Sequence, residues 1–206
     1  MKNKDFAELA QRLLPNLPGF TVKAPLMFIP PAKHTLRGIC FESHSYNAKQ
    51  FYVWVFLLPL CIPTKHVIFN LGKRIESPEG GPWNANAPNL LLQLSATVKR
   101  EALPFLSRVE SPRDLAQAAR SLQRPQDPYT QQAIAFALAR SGGVAEAVAA
   151  LDELVGLLDV KVPWQLEMTQ RADALRSQLL TDAASAQKQL EAWEAETTRN
   201  LGLEGV

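Results

Sequence analysis

The most apolar stretch of the chain is QFYVWVFLLPLCIP, at residues 50 to 63. Its uninterrupted run from Phe51 to Leu58 is too short to cross a bilayer, since a spanning helix needs about 20 apolar residues. The run is rich in β-branched and aromatic residues and is apolar at odd and even positions alike. This pattern predicts a central β-strand, ended by Pro59, with both faces covered. The helices after residue 89 can cover one face, and the N-terminal helix, a partner chain or a ligand could cover the other.

Three further segments have strand patterns. They lie at residues 20 to 29, with an interruption at Pro25, at residues 36 to 43 and at residues 66 to 75. Because the connections between the later strands are short, we expect an antiparallel meander. Before it, residues 4 to 14 have the 3.6-residue period of an amphipathic helix. Its apolar face consists of Phe6, Leu9, Ala10 and Leu13.

From residue 89 onward the apolar period is helical, after a loop at residues 76 to 89 that is rich in Gly, Pro and Asn. The segment SPRD at 111 to 114 predicts a capped helix start, and Pro104 predicts a kink or an end. Two helical hairpins are expected at 128 to 161 and 164 to 200. We therefore predict an α+β protein, with an N-terminal antiparallel sheet of three to four strands and one helix in residues 1–80. A C-terminal bundle of five to six helices in antiparallel hairpins occupies residues 86–206.

Charge is distributed unevenly along the chain. Residues 1 to 75 carry ten Lys or Arg and three Asp or Glu, whereas residues 76 to 206 carry twelve basic and seventeen acidic residues. The formal net charge of +2 is too small to indicate a nucleic-acid ligand. Two surfaces of opposite sign could serve different partners, or the two halves could simply complement each other.

Two resemblances follow from these patterns. The segment YTQQAIAFALARSGGVAEAVAALDELVGLLD resembles one tetratricopeptide hairpin, with Gly142 and Ala147 at its small-residue positions. The family's tryptophan, its tyrosine after the glycine and its closing proline are missing, and only one unit is clear, whereas repeat arrays need about three. The resemblance therefore implies a helical hairpin packed on its neighbours rather than a peptide-binding groove.

The first 125 residues or so are similar to a loose group of uncharacterised bacterial proteins. The similarity rests on LRGICFESHSYNAKQFYVWVFLLPLCIP, then HVIFNLGKRI, a tryptophan-containing loop and EALPFL. These proteins share three strands followed by helices, and their domains are of unknown function. Some are immunity partners of bacterial toxins, so the resemblance implies protein binding and carries over no catalytic residue.

Motifs of common chemistry are missing from the sequence. The three histidines and two cysteines form no CxxC, HxxxH or HExxH pair, and no phosphate-binding glycine loop is present. Cys40 and Cys61 lie in apolar runs, and the N-terminal segment is amphipathic rather than a signal peptide. We expect a cytoplasmic protein with buried thiols, no metal and no cofactor.

Basic and aromatic residues at strand ends and in loops are the candidate contacts with a partner or ligand. They are Lys33, His34, Arg37, Trp54, His66, Lys73, Arg74 and Trp83. They could form a basic rim on the sheet, although edge-strand lysines also serve to prevent aggregation. The leading hypothesis is a non-enzymatic, immunity-like module that binds a protein partner through this rim or through the acidic helical face. We expect no membrane association and leave self-association open. The alternative is a small-molecule-binding or enzymatic protein, with a pocket between sheet and helices lined by Trp54, Trp83, His66 and Arg74.

Overall fold

The computed structural model describes residues 3–205 and divides the chain into two compact units. The first holds the residues up to Leu58 together with Leu71–Arg108 and Gly205. The second holds Pro59–Asn70 and Val109–Glu204. The division differs from the predicted boundary at residues 80 to 86, because the first helices after the sheet belong to the sheet unit and a segment between two strands belongs to the helical unit.

The first unit is a six-stranded sheet with helices. Its strands follow one another in space as β1-β2-β3-β4-β5, and β6 pairs with β4. The strands are β1 Thr21–Lys23, β2 Leu26–Phe28, β3 Thr35–Ser43, β4 Gln50–Pro59, β5 Leu71–Ile75 and β6 Trp83–Asn84. The helices are α1 Asn3–Leu13, α2 Leu90–Thr97 and α3 Leu103–Leu106, with a π-helical turn at Val98–Ala102. The predicted antiparallel meander and the α+β class are confirmed.

Two predicted strands differ from the observed ones. The segment from 20 to 29 is a hairpin, because the chain turns at Ala24–Pro25 and pairs Thr21 with Phe28. The segment from 66 to 75 is a strand only from Leu71, since residues 66 to 70 belong to the second unit. The predicted loop at 76 to 89 contains β6. With the two strands of the hairpin counted separately, the sheet has six strands rather than three or four.

Helix α1 covers one face of the central strand β4. Its apolar face is buried as predicted, and the Phe6 ring stacks on Phe41 at 5.8 Å and meets Phe51 edge-on at 6.0 Å. Val53 and Val55 are buried on the Phe51 face. On the opposite face Phe56 and Leu58 are buried, but Tyr52 and Trp54 are only half-buried. The prediction that both faces of the whole run are covered is therefore wrong at these two aromatic residues.

The second unit is helical and is centred on α5. Its helices are α4 Pro112–Ser121, α5 Pro128–Arg140, α6 Val144–Gly156, α7 Pro163–Thr181 and α8 Ala183–Asn200. The side chains of α5 from Thr130 to Ala139 are all buried, so this helix is surrounded by its neighbours. The α5–α6 and α7–α8 hairpins lie where the sequence predicts them, with Gly142 at a positive φ of 82° and Asp182 capping α8.

Polar contacts join α5 to α8. Arg140, whose side chain is 16% exposed, lies 3.4 Å from carboxylate oxygens of Glu191 and Glu194, and its Nη1 donates to Gln187 Oε1. The Gln187 amide donates in turn to the Ala139 carbonyl. A guanidinium taken this far out of water needs such partners, and these fix the orientation of α8 on α5.

Candidate functional site

Aromatic and charged side chains gather on the half-buried face of the sheet. We call this group the arginine–aromatic cluster and define it as Glu42, His44, Tyr52, Trp54 and Arg74. Trp54 and Arg74 are direct cross-strand partners of β4 and β5, and Tyr52 shares their face, two residues from Trp54. The Arg74 guanidinium carbon lies 3.9 Å from the centroid of the Tyr52 ring and 4.8 Å from that of Trp54. Both distances are those of a cation–π contact.

Glu42 holds this arrangement together. One of its carboxylate oxygens accepts a hydrogen bond from Trp54 Nε1 at 2.7 Å and lies 3.5 Å from Arg74 Nη2. The side chains of Glu42 and Arg74 are each 46% exposed, so water screens the ion pair and its contribution to stability is small. The contacts nevertheless fix the indole and the guanidinium in one orientation.

The turn between β3 and β4 extends the cluster toward solvent. The His44 ring lies 5.3 Å from Tyr52 and 6.2 Å from the edge-on ring of Tyr46. His44 Nδ1 accepts a hydrogen bond from the Tyr46 backbone N–H at 3.2 Å. Tyr46 is 96% exposed, which leaves a large aromatic ring in water beside the cluster.

Most of the predicted basic rim lies elsewhere. Lys33 and His34 precede β3 and Arg37 lies near its start, whereas His44 follows its end, about 23 Å or more along the strand from Arg37 at 3.3 Å per residue. His34 has a positive φ of 61° just after the isolated bridge residue Lys33. Lys33, His34 and Arg37 are therefore not part of the arginine–aromatic cluster, because the length of β3 separates them from the turn between β3 and β4.

Lys73 and Arg74 point to opposite faces of β5, as consecutive strand residues must. Lys73 pairs with Val55 and is exposed, and Arg74 pairs with Trp54. Of the eight candidate contact residues, only Trp54 and Arg74 belong to the cluster.

Trp83 is a core residue and not a surface contact. It is 1% exposed, its Nε1 donates to the Ile75 carbonyl at 2.8 Å, and it pairs with Phe51 on the face opposite Trp54. His66 lies in the second unit, exposed, in a turn closed by Thr64. The four residues of the predicted pocket are therefore not gathered within either unit.

The two thiols are unsuited to nucleophilic chemistry near neutral pH. Burial raises the pKa of Cys40 and that of Cys61 to about 12 from the usual 9.0, and Glu42 and Glu194 respectively add to the rise. Between residues 3 and 205, no group of three or more His, Cys, Asp or Glu side chains is placed to hold a metal ion. In the same part of the chain, no helix is both long and apolar enough to cross a membrane.

The sequence contains a pattern that indicates the cluster members missing from the candidate contacts, which are Glu42, His44 and Tyr52. Glu42 and His44 alternate at the end of one strand pattern, and Tyr52 and Trp54 alternate at the start of the next, across a short turn. A period of two places each pair on one face, and a hairpin brings the two pairs side by side. Comparison with protein-family models, with curated proteins and with solved structures gives no match to this chain, so its function has to be argued from this geometry.

Proposed function

We propose that this protein is a non-enzymatic protein-interaction module and that the arginine–aromatic cluster is its binding surface. The observation that carries the proposal is the placement of Arg74. Its guanidinium lies over two aromatic rings while its side chain is still 46% exposed. Trp, Tyr and Arg are the residues that dominate the binding energy of protein interfaces.

The cluster is also organised before any partner arrives. Trp54 and Arg74 are held by Glu42, so binding would cost little additional side-chain entropy in these two residues. Tyr46 and His44 extend the aromatic surface outward. Rigid aromatic side chains of this kind supply contact area at a low entropic cost.

The partner we propose is an acidic protein. The first unit carries twelve Lys or Arg against six Asp or Glu, a formal charge of +6, whereas the second carries ten against fourteen, a formal charge of −4. An acidic surface is therefore attracted to the sheet unit. The resemblance to immunity proteins suggests a bacterial toxin as the type of partner.

The acidic helical unit is the weaker candidate surface. Several of its carboxylates already have basic partners within the unit: Glu146 pairs with Arg113, Asp152 with Arg176, and Glu191 with Arg140. Such internal pairing reduces the field that the unit presents to a partner.

The test compares two charge reversals on one strand. Tagged full-length protein is used to capture partners from the native host, and the affinity for the purified partner is then measured by calorimetry. We expect Arg74→Glu to weaken binding by about 30-fold or more, the loss typical of a dominant interface residue. Lys73→Glu is the matched control, because it makes the same charge change on the opposite face of β5 and should keep the wild-type affinity. Circular dichroism establishes that both variants are folded.

Two results would contradict the proposal. One is a partner that binds Arg74→Glu as tightly as the wild type. The other is a protein that co-purifies with a metabolite and with no protein partner, which would favour the small-molecule alternative.

A further inference from the structure

A cavity of about 380 Å³ opens within the second unit, apart from the arginine–aromatic cluster. The end of α4, the connection after it and the first two turns of α5 form its walls. Its apolar lining consists of Ala119, Pro125 and Ile134. Cavities of about 300–1,000 Å³ with an apolar lining and a few polar groups are typical of small-molecule sites.

Two arginines line the same cavity. Arg124 Nη1 donates to the Asn70 carbonyl at 3.0 Å, which holds this side chain at the wall. The Arg120 side chain makes no hydrogen bond or ion pair with any residue from 3 to 205, although its backbone carbonyl accepts from the Gln123 N–H at 3.1 Å. The nearby carboxylate of Asp127 is occupied as the cap of α5, since it accepts from Thr130 Oγ1 at 2.5 Å and from the Thr130 N–H at 3.0 Å. Neither guanidinium therefore has an anionic partner in the described chain.

Gln123 lines the cavity in an unfavourable backbone conformation. Its φ is 53°, in the left-handed region, at a helix end where glycine is the usual residue. A side chain in this conformation costs free energy, and such residues concentrate at ligand sites, where the side chain is needed. The glutamine amide is a further polar group at the cavity wall.

We propose that this cavity binds a carboxylate carried on an apolar group. The carboxylate pairs with Arg120 and Arg124, whose planar guanidinium groups match its two oxygens, and the apolar group covers Ala119, Pro125 and Ile134. Of this lining, Pro125 is exposed, whereas Ala119 and Ile134 are 1% and 4% exposed. A compact, fully hydrated anion such as phosphate would make no apolar contact with it. Two sources supply the required chemistry, a free organic acid or the C-terminal carboxylate of a peptide.

The test is a titration of the ¹⁵N-labelled full-length protein followed by NMR. The probes are hexanoate and its neutral counterpart hexanamide, inorganic phosphate, and an N-acetylated tripeptide ending in leucine with a free or an amidated C-terminus. We expect a carboxylate probe to shift the amide signals of residues 119 to 134. It should bind about tenfold or more tightly than its amide, because a charged hydrogen bond contributes about that factor. Tighter binding of hexanoate identifies a free acid as the source, and tighter binding of the tripeptide identifies a peptide terminus.

Variants separate binding from folding. Arg120→Gln should reduce carboxylate affinity about tenfold, whereas Arg113→Gln, on the same helix but outside the cavity, should leave it unchanged. Gln123→Gly should raise the melting temperature, because it relieves the left-handed backbone, and should still weaken binding. Equal affinity for acid and amide, equal affinity for phosphate and hexanoate, or no shift of these signals by any carboxylate would each overturn the proposal.

Discussion

Gly38 shows how one residue sets the spacing of two strands. It pairs with Phe28 across β2 and β3, and a Cβ atom added to it would lie 2.6 Å from the Met27 carbonyl oxygen and 3.0 Å from Phe28 Cβ. Both neighbours belong to a buried strand with no room to retreat. The close approach of β2 to β3 therefore depends on the missing side chain.

Gly38→Ala should destabilise the protein by about 1–3 kcal/mol, the usual cost of forcing an atom into a packed interior. Gly156→Ala is the matched control, because Gly156 closes α6 and an added Cβ meets no atom within 4 Å. Denaturant unfolding followed by circular dichroism measures both. A Gly38→Ala midpoint equal to that of the control would show that the strands can separate at no cost.

Single residues were also where sequence prediction of the site failed. Trp83 lies in a loop-like sequence rich in glycine and proline, where so large an apolar ring is expected to pack against the sheet or the next helix, and two residues of pairing with β4 do bury it, which removes it from the candidate contacts. No local pattern announces so short a strand, because burial there depends on a distant partner. The sequence pattern identifies the aromatic residues of β4 but does not show which of them are only half-buried. That depends on which elements pack against each face of the strand.

Among the elements, helix ends are the features that the sequence predicts best. The predicted start at SPRD is a full capping box, in which the Ser111 hydroxyl accepts from the Asp114 N–H and Asp114 accepts from the Ser111 N–H. The hydrogen bond from the Ser111 hydroxyl, with smaller contributions from the Ser111 and Glu110 amides, lowers the pKa of Asp114 below its ordinary 3.8. The carboxylate therefore stabilises the fold above that pH and loses this effect as the pH falls through its lowered pKa.

Ser111→Ala should cost about 1 kcal/mol at neutral pH, as loss of an N-cap usually does. The difference from the wild type should shrink as the pH falls through and below the ordinary carboxyl value of 3.8, because protonation of Asp114 at its lowered pKa removes part of the same interaction. Urea unfolding across this pH range measures the effect. Ser121→Ala, at the exposed end of the same helix, is the control and should change little. A constant difference at every pH would contradict the role given to the carboxylate.

The local sequence pattern does not predict two other elements, the π-helical turn before α3 and the segment HVIFN. Pro104 predicts an end or a kink near Leu103, and the structure has an interruption there: α2 ends at Thr97, a π-helical turn follows at Val98–Ala102, and α3 begins at Leu103. A π-helical turn is wider than an α-helical one and accommodates the missing N–H of proline. Whether the chain forms such a turn or ends the helix depends on the packing on both sides. In the same way, HVIFN continues the strand pattern of LGKRI, and its assignment to the helical unit depends on contacts far along the sequence.

At the scale of the whole molecule, the chain leaves the sheet unit after Leu58 and returns to it at Leu71. The intervening residues belong to the helical unit, and three side chains of that unit donate hydrogen bonds to their backbone carbonyls. Thr197 Oγ1 donates to the Ile62 carbonyl at 3.1 Å, Asn200 Nδ2 to Thr64 at 3.3 Å, and Arg124 to Asn70. The helical unit therefore includes a segment that lies more than 40 residues before its first helix in the sequence.

Thr197 is the buried anchor of this segment, with no exposed surface. Thr197→Val keeps the shape of the side chain but leaves the Ile62 carbonyl without its donor, which should cost about 1–3 kcal/mol. Because the lost bond ties residues 59 to 70 to α8, hydrogen exchange by mass spectrometry should show faster exchange there first, with β3 and β4 unchanged. Thr181→Val is the matched control, since the Thr181 hydroxyl is exposed and bonds only within its own helix. Equal acceleration throughout the chain would mean instead that segment and sheet open together as one cooperative structure.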